Sequence, residues 1–596
     1  MFYANYAIDG CFFLCYNESK SQDAKGENTM RKMKTVLLYV LSMLLCVSCL
    51  SGCGDRDKVT KDEKFVNVRV FKGGYGADWI YELKDKFEAV YADEGYKVNI
   101  LTPSYDISGD NVLNELYEGN QKSGVDLYFT ANLPVKLVTD GDYGMLVEDL
   151  TDTVWNKPAI DFSGKEEPQT VAEKLVKGME ESVTGDDGRR YAFSWVQSIG
   201  GMVVNTRKLA QYGLSLPRTT DEMFACFDTI YKGTTYNGTT IGDSETTKTF
   251  PITYVQGSNG YTLCMLNAML AQYEGIAGFD RFWSMQEADG TRMIDNGYEV
   301  LSSQGVLEML TAAFRTFDPK ISAYGSSTQD VDQAQAKIMK DGNGAVFMCN
   351  GDWMLNEVKF TYKNQLNDIE FINFPVISAL GTKLFGPGTG YALDAADCDE
   401  LLSYIIGLVD ENKSLEEIGQ TVSAEKGIDV AEADIRAVAE ARGLYYSRGV
   451  EHVAYIARDA LGKTPAELFL RMYASDDFAK VFIDKSNGST PYAPASASAD
   501  TSEYKFVKQA AGIATNRYVE VIQSGATGLR AEMGLTTMFP AVPHIPLSIV
   551  GQNISMYDNG AQVSTAEVYF NAAKSMMDSE VDNAMRKWNE WKALAE

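Results

Sequence analysis

The sequence predicts an α/β protein with more than one core, and three observations carry that expectation. The chain has 596 residues, whereas single hydrophobic cores stop growing at roughly 250–300 residues. An alternation of strand and helix is legible between residues 65 and 129. The composition is that of a globular chain, 45% hydrophobic and 23% charged.

Phe65-Val-Asn-Val-Arg-Val-Phe71 alternates as a strand does. Gly73-Gly74-Tyr75-Gly76 breaks it, and Asp78 can begin a helix. Trp79, Ile80, Leu83, Phe87, Val90 and Tyr91 then recur at helical spacing, which assigns Trp79 to the core. Gly95 ends this helix, and Lys97–Leu101 is a second strand. A further helix fits Asp110–Tyr117, and Val125–Phe129 is a third strand. Such an order implies a parallel sheet covered on both faces. Ligands of these sheets bind at the carboxyl ends of strands, so Gly73–Asp78 and Thr130–Leu133 become candidate ligand loops.

Ahead of this sheet, Met30-Arg-Lys-Met-Lys34 precedes an apolar run from Thr35 to Leu50, the pattern of a signal peptide. The run is too short for a comfortable membrane span. It ends in Leu50-Ser51-Gly52-Cys53, which resembles the bacterial lipobox. That resemblance implies that the Cys53 thiol receives a diacylglycerol and becomes the new N-terminus. Each buried methylene of such an anchor contributes ~0.8 kcal/mol. An ordinary signal peptide with an incidental cysteine is the competing reading. Residues 1–29 lack this logic and read as an overextended start, so 1–52 is leader and 53–64 a solvated tether.

The net charge of −28 argues against a nucleic-acid partner, because phosphate binding needs clustered Lys and Arg. Five of the nine cysteines lie at or before residue 53, and Cys226, Cys264, Cys349 and Cys398 are scattered singly. This is neither a disulfide framework nor a metal-ligand spacing, and neither metal nor cofactor is expected. The two histidines, His452 and His544, form no metalloprotease motif, and no G-x-S-x-G elbow occurs. Paired carboxylates of a glycosidase stay formally open. Gly386-Pro-Gly-Thr-Gly390 lacks the Lys and Ser/Thr of a phosphate loop, so backbone lining a cleft is its better functional reading.

Further along, Ser198-Ile-Gly-Gly-Met-Val-Val-Asn205 leads into Lys208-Leu209, Gly213-Leu214, Pro217 and Thr219-Thr-Asp-Glu222. The run resembles the family 1 extracellular solute-binding proteins, the maltodextrin-binding-protein relatives. Asp126-Leu127, Gly144–Leu150, Gln333–Met339, Gly344–Met348, Gly351-Asp-Trp353, Phe374-Pro375, Gly386–Leu393 and Leu468–Pro491 resemble that family's later elements in their order. The resemblance implies a two-lobed periplasmic-binding-protein-like fold of type II with hinge crossings. One lobe would hold 65–194 with 382–492, including a helical insertion at 399–460, and the other 195–381 with 493–596. Crossings are expected near Phe193–Gln197, Val376–Thr382 and Pro491–Pro494. The implied function is capture of a carbohydrate for the permease subunits of an ABC importer, without catalysis, by a monomer lipid-anchored outside the cytoplasmic membrane. The insertion and the long C-terminal segment can widen a cleft, which favours an oligosaccharide. A polyamine or ferric ion is the alternative, Tyr445-Tyr446 resembling paired iron ligands although a helical insertion is a poor place for a cleft. A secreted carbohydrate-active enzyme is a third reading.

Sugar sites combine aromatic faces with a few placed polar groups. The family resemblance puts aromatics at Tyr75, Trp195 and Trp353. Trp353 follows the Asn350-Gly-Asp352 turn, with a core position as its competitor. Trp195 serves either ligand or hinge packing, and Tyr75 stands among glycines that permit close approach. Polar candidates are Asp126, Asn132, Gln256, Asn259, Asp352 and Thr389, with Tyr391 beside the last. Asn259 can equally be a simple helix cap. Replacing Cys53 by Ser is expected to release the protein from the membrane fraction and abolish incorporation of labelled fatty acid; continued lipid labelling of the variant would refute the anchor.

Overall fold

A computed structural model describes residues 59–522, apart from 140–144, 186, 234, 237–238, 241–247, 256–258, 285–302, 319–320, 327, 341–343, 448–451, 493–501 and 515–517. The leader, Cys53 and the chain beyond 522 therefore lie outside the described residues. All described residues belong to one unit that begins at Val59.

The first sheet grows from the segment whose periodicity is clearest. Strands β1 (Phe65–Val70), β2 (Lys97–Ile100) and β3 (Leu127–Phe129) pair in parallel with β1 in the middle. Helix α1 (Asp78–Val90) crosses between β1 and β2 and buries Trp79, Ile80, Leu83 and Phe87. Helix α2 (Gly109–Glu118) leads towards β3 and buries Val112 and Leu116. The next strand to join this sheet along the chain, β4 (Phe193–Ser194), takes its far edge.

Immediately beyond β4 the chain enters a second sheet through β5 (Ile199–Asn205), every residue of which is buried. β6 (Phe250–Thr253) precedes helix α3 (Asn259–Ser284), which is followed by α4 (Val331–Met339) and β7 (Ala345–Gly351). β7 pairs in parallel with β6 and antiparallel with β5. The short α5 (Met354–Val358) and β8 (Ile369–Ile372) follow, β8 also pairing with β5. Gly201 permits this packing: a Cβ there would stand 2.5 Å from the Phe371 ring and 2.7 Å from the Ile372 carbonyl oxygen.

Helices α6 (Ala395–Asp410), α7 (Leu415–Lys426) and α8 (Glu432–Gly443) form the expected helical insertion. Asp394 caps α6, and Ser414 with Glu417 forms a capping box on α7. The insertion sits elsewhere than expected. α6 packs on the helix Ala379–Phe385 and α8 on α3. Leu401, Leu402, Ile405, Ile406 and Val409 share a core with Phe374, Leu380 and Phe385, on the side of the second sheet. The boundary expected at 382 is thus corrected: the chain stays with the second sheet through β9 (Leu444–Ser447), which pairs with β5. It returns to the first sheet only at β10 (Val453–Ile456), between β3 and β4.

Helices α9 (Lys463–Tyr473) and α10 (Asp476–Ser486) then cover the first sheet beside α1. α11 (Lys505–Ala514) packs on β8, and β11 (Glu520–Ile522) pairs with β9 in the second sheet. The chain therefore passes between sheets at 194–199, at 447–453 and after α10. The middle one lies some seventy residues beyond the expected Val376–Thr382. The larger apolar cluster runs from the first sheet across these passages to Ile199, Val203, Met348 and Phe371 of the second.

Asp126, expected in the ligand cleft, is instead a structural carboxylate. It is 1% exposed. It accepts from the Asn67 amide N–H (2.8 Å) and side chain (2.9 Å), the Asn120 side chain (3.0 Å), and the Leu461 and Gly462 amides (3.0 and 3.3 Å). Removing such an acceptor leaves several buried donors unsatisfied. Asp126→Ala is expected to lower unfolding stability by about 3 kcal/mol or more in urea titrations; a change below about 1 kcal/mol would contradict this role.

Candidate ligand-binding site

The carboxyl ends of β1, β3 and β7 meet where the chain passes between the sheets. After β1 the loop carrying Gly73–Gly76 turns towards the second sheet, and Gly74 lies so close that a Cβ there would be 2.8 Å from the Trp353 Cβ. The Asn356 side chain donates to the Gly74 carbonyl oxygen at 2.7 Å. The Tyr75 hydroxyl donates to Asp352 Oδ1 at 2.6 Å. Two hydrogen bonds and a packed tryptophan thus join the first sheet's loop to the end of β7.

A cavity of about 180 Å³ opens at this junction. Phe71, Gly74, Tyr75, Ala131 and Asn132 line it from the first sheet, Tyr261, Trp353 and Glu357 from the second, and Ser198 and His452 from the passages between them. Asn132 and Ser198 adopt left-handed backbone conformations, with φ of 56° and 54°. Asn tolerates that region by local hydrogen bonding; for Ser198 it is a strained conformation that the surrounding fold must hold.

Asp352 is fully buried. Its amide N–H donates to the Ile199 carbonyl oxygen at 3.0 Å, tying it to β5. Its Oδ2 is buried without a hydrogen-bond partner. Burial pushes this carboxyl up to about 7, with the Tyr75 hydrogen bond acting in the opposite sense. Burial, together with the charge of Asp352, raises the Tyr75 phenol well above its ordinary 10.0. Glu357, on α5, accepts from the Gln335 side chain at 2.6 Å, and burial pushes its carboxyl up to about 7. Its residue surface is nonetheless accessible. Glu357 thus keeps contact with solvent at the mouth of the crevice, and that contact limits how far burial raises its carboxyl.

Of the residues expected to bind ligand, Tyr75, Asn132 and Trp353 come together here. Trp195 does not line the cavity but lies beneath it. It is fully buried, donates from Nε1 to the Thr130 carbonyl oxygen at 3.0 Å, and stacks on Trp79 with ring centroids 5.7 Å apart. Its edge-on contact with Tyr75, at 6.1 Å, supports that ring from below. Thr389 and Tyr391 lie away from the cavity. Thr389 bonds back to the Gly386 carbonyl oxygen at 2.8 Å, and the Tyr391 hydroxyl donates to Asp434 at 2.7 Å, fastening its loop to α8. Gln256 and the side chain of Asn259 lie outside the described residues. Tyr445 is wholly interior on β9 and its hydroxyl has no partner there. Among the described residues no three His, Cys, Asp or Glu gather into a metal-binding group.

Sequence reasoning missed Phe71, Ser198, Tyr261, Glu357 and His452 as lining residues. Glu357 had a usable signal, standing four residues after Trp353 and so one helical turn away. A larger hollow of about 700 Å³ lies elsewhere, between α11, β8 and the loops around Arg218 and Asn412. Its Arg442 already makes a paired contact with Asp410, at 2.8 and 3.0 Å.

The buried acid has a signed consequence. Its ordinary value of 3.8 rises to about 7 in the fold, so between these pH values the folded state binds a proton that the unfolded state has lost. This contribution makes stability fall as pH rises from about 4 to about 7 and level off above. Asp352→Asn, which stays neutral, is expected to gain stability relative to the parent between pH 5 and pH 8 in urea titrations. A parent-to-variant difference independent of pH would contradict the burial of a titrating carboxyl.

No protein-family model matches the sequence, and no curated protein matches it. Solved structures do resemble the fold. A chitin oligosaccharide binding protein is 13% identical, with 87% of this chain and 99% of that chain covered and a TM-score of 0.48. The solute-binding protein RafE in complex with raffinose is 12% identical, with 86% and 99% covered and a TM-score of 0.47. A cyclo/maltodextrin-binding protein complexed with maltotetraose is 12% identical, with 88% and 99% covered and a TM-score of 0.46. Likeness at this level carries no functional argument of its own; the structures concerned are sugar-binding proteins, the kind that the sequence motifs resemble.

Proposed function

We propose that this chain is an extracytoplasmic solute-binding protein that encloses a carbohydrate between its two sheets and presents it to an ABC importer. The observation that carries this reading is the cavity at the strand ends. Both sheets contribute to it, aromatic rings form much of its wall, and a few polar side chains are placed among them. That is the chemistry of a small-molecule pocket at a junction between two α/β units.

Ligand contacts made from both sides favour the closed arrangement over an open one, which is capture by population shift. At about 180 Å³ the cavity is below the ~300–1,000 Å³ of ordinary ligand pockets. In this closed arrangement it suits one sugar ring, and an oligosaccharide requires the sheets to stand further apart. Anchoring through Cys53, residence outside the cytoplasmic membrane, a monomeric state and delivery to permease subunits belong to the same proposal and rest on the lipobox and the family resemblance.

A thermal-shift screen of the mature chain against mono- and oligosaccharides tests it. A sugar selective for the folded protein raises the melting temperature by mass action, without turnover. Trp353→Ala is expected to weaken that binding by about tenfold or more while the unliganded protein still unfolds cooperatively. A destabilised fold that still binds with the parent's affinity would make Trp353 a packing residue, and hydrolysis of the sugar would replace the binding function by an enzymatic one.

A further inference from the structure

The cavity wall has a charge imbalance that a neutral sugar leaves unused. Its described lining holds the rings of Phe71, Tyr75, Tyr261 and Trp353, the imidazole of His452 and the carboxyl of Glu357, but neither Lys nor Arg. A second carboxyl, Asp352, stands directly behind the Tyr75 hydroxyl.

The groups around Glu357 do not supply a counter-charge. From α4, Gln335 offers a neutral amide at 2.6 Å, and Asp332 adds negative charge that pushes the Glu357 proton affinity further up. From the loop after β1, the Tyr75 phenol feels the Glu357 charge as another unfavourable neighbour. Two residues along, Lys359 interacts with Asp78 and Asp484. A carboxylate facing a crevice gains most from a cationic donor, because charge-assisted hydrogen bonds are roughly twice as strong as neutral ones. Aromatic faces in turn attract cations through their electron-rich surfaces. One guest satisfies both.

We propose that the cavity takes a ligand carrying a protonated amine, with the nitrogen against Glu357 and the carbon skeleton against the Trp353 and Tyr261 rings. This rests on the cavity being the solute site. An ammonium offers three donors, and the spare acceptor capacity of Glu357 and the carbonyl of the Asn132 side chain supply matching chemistry. Two kinds of molecule present such a group at the size of this cavity: an amino sugar and a short linear polyamine.

Calorimetric titration of the mature chain at pH 7 with glucosamine, glucose, N-acetylglucosamine and putrescine distinguishes them. Glucosamine or putrescine is expected to bind about tenfold or more tightly than either neutral sugar. Glu357→Gln, which keeps the hydrogen bond to Gln335, is expected to erase most of that preference while the unliganded variant melts no lower than the parent, because burial disfavours the charged carboxylate. Glucose or N-acetylglucosamine binding as tightly as glucosamine would overturn the amine and leave the carbohydrate reading standing. A preference that survives in Glu357→Gln would overturn the assignment to Glu357. Binding of putrescine alone would uphold the amine and overturn the carbohydrate. Failure of all four probes to bind the parent protein would overturn the proposal.

Discussion

The hydrogen bond from the Tyr75 hydroxyl to Asp352 is the contact around which the two sheets are arranged. Both partners are buried, Tyr75 at 2% and Asp352 at 0% exposure. A buried carboxyl with one orphaned oxygen is stable only when the surroundings fix its remaining partners. Here β5 fixes it through the Ile199 carbonyl, and the Trp195 ring fixes Tyr75 from below. The cavity is the space left over once these groups have met.

This arrangement explains why some residues were legible in the sequence and others were not. The elements from Phe65 to Phe129 were readable because their periodicity is strong and local: β1 alternates, and α1 repeats Trp79, Leu83 and Phe87 on one face. Asn132, Tyr75 and Trp353 follow strand ends, and position after a strand suffices to place a side chain near the cleft of such a sheet. Asp126 failed because a carboxylate beside a strand has the same sequence signature whether it faces a ligand or five protein donors. Trp195 failed for a related reason. A residue at a passage between sheets is close to the cavity in sequence terms, but whether it lies in the wall or beneath it depends on Trp79 and Thr130, which are distant in the chain.

The helical insertion shows the same limit at a larger scale. Amphipathic spacing in α6 says that one face must be buried; it does not say against which sheet. Capping at Asp394 and Ser414 marks where helices begin but not what they touch. The partner is settled by shape, through Phe374, Leu380 and Phe385, and those contacts carry the chain on to β9 before it returns. Tyr391 is drawn away from the cavity by the same helices, because its hydroxyl closes against Asp434 of α8.

Displacement of the middle passage changes which residues govern the relation between the sheets. With passages at 194–199 and 447–453, the strained Ser198 and the ring of His452 both lie on connections between the sheets and also in the cavity wall. Trp195 donates its amide N–H to the His452 carbonyl oxygen at 3.3 Å, so the two passages are bonded to each other. A rotation that separated Tyr75 from Asp352 would act on these two connections as well as on the third, after α10. A hinge closure of the kind proposed would therefore move part of the wall that its guest meets, because Ser198 and His452 belong both to the connections and to the cavity.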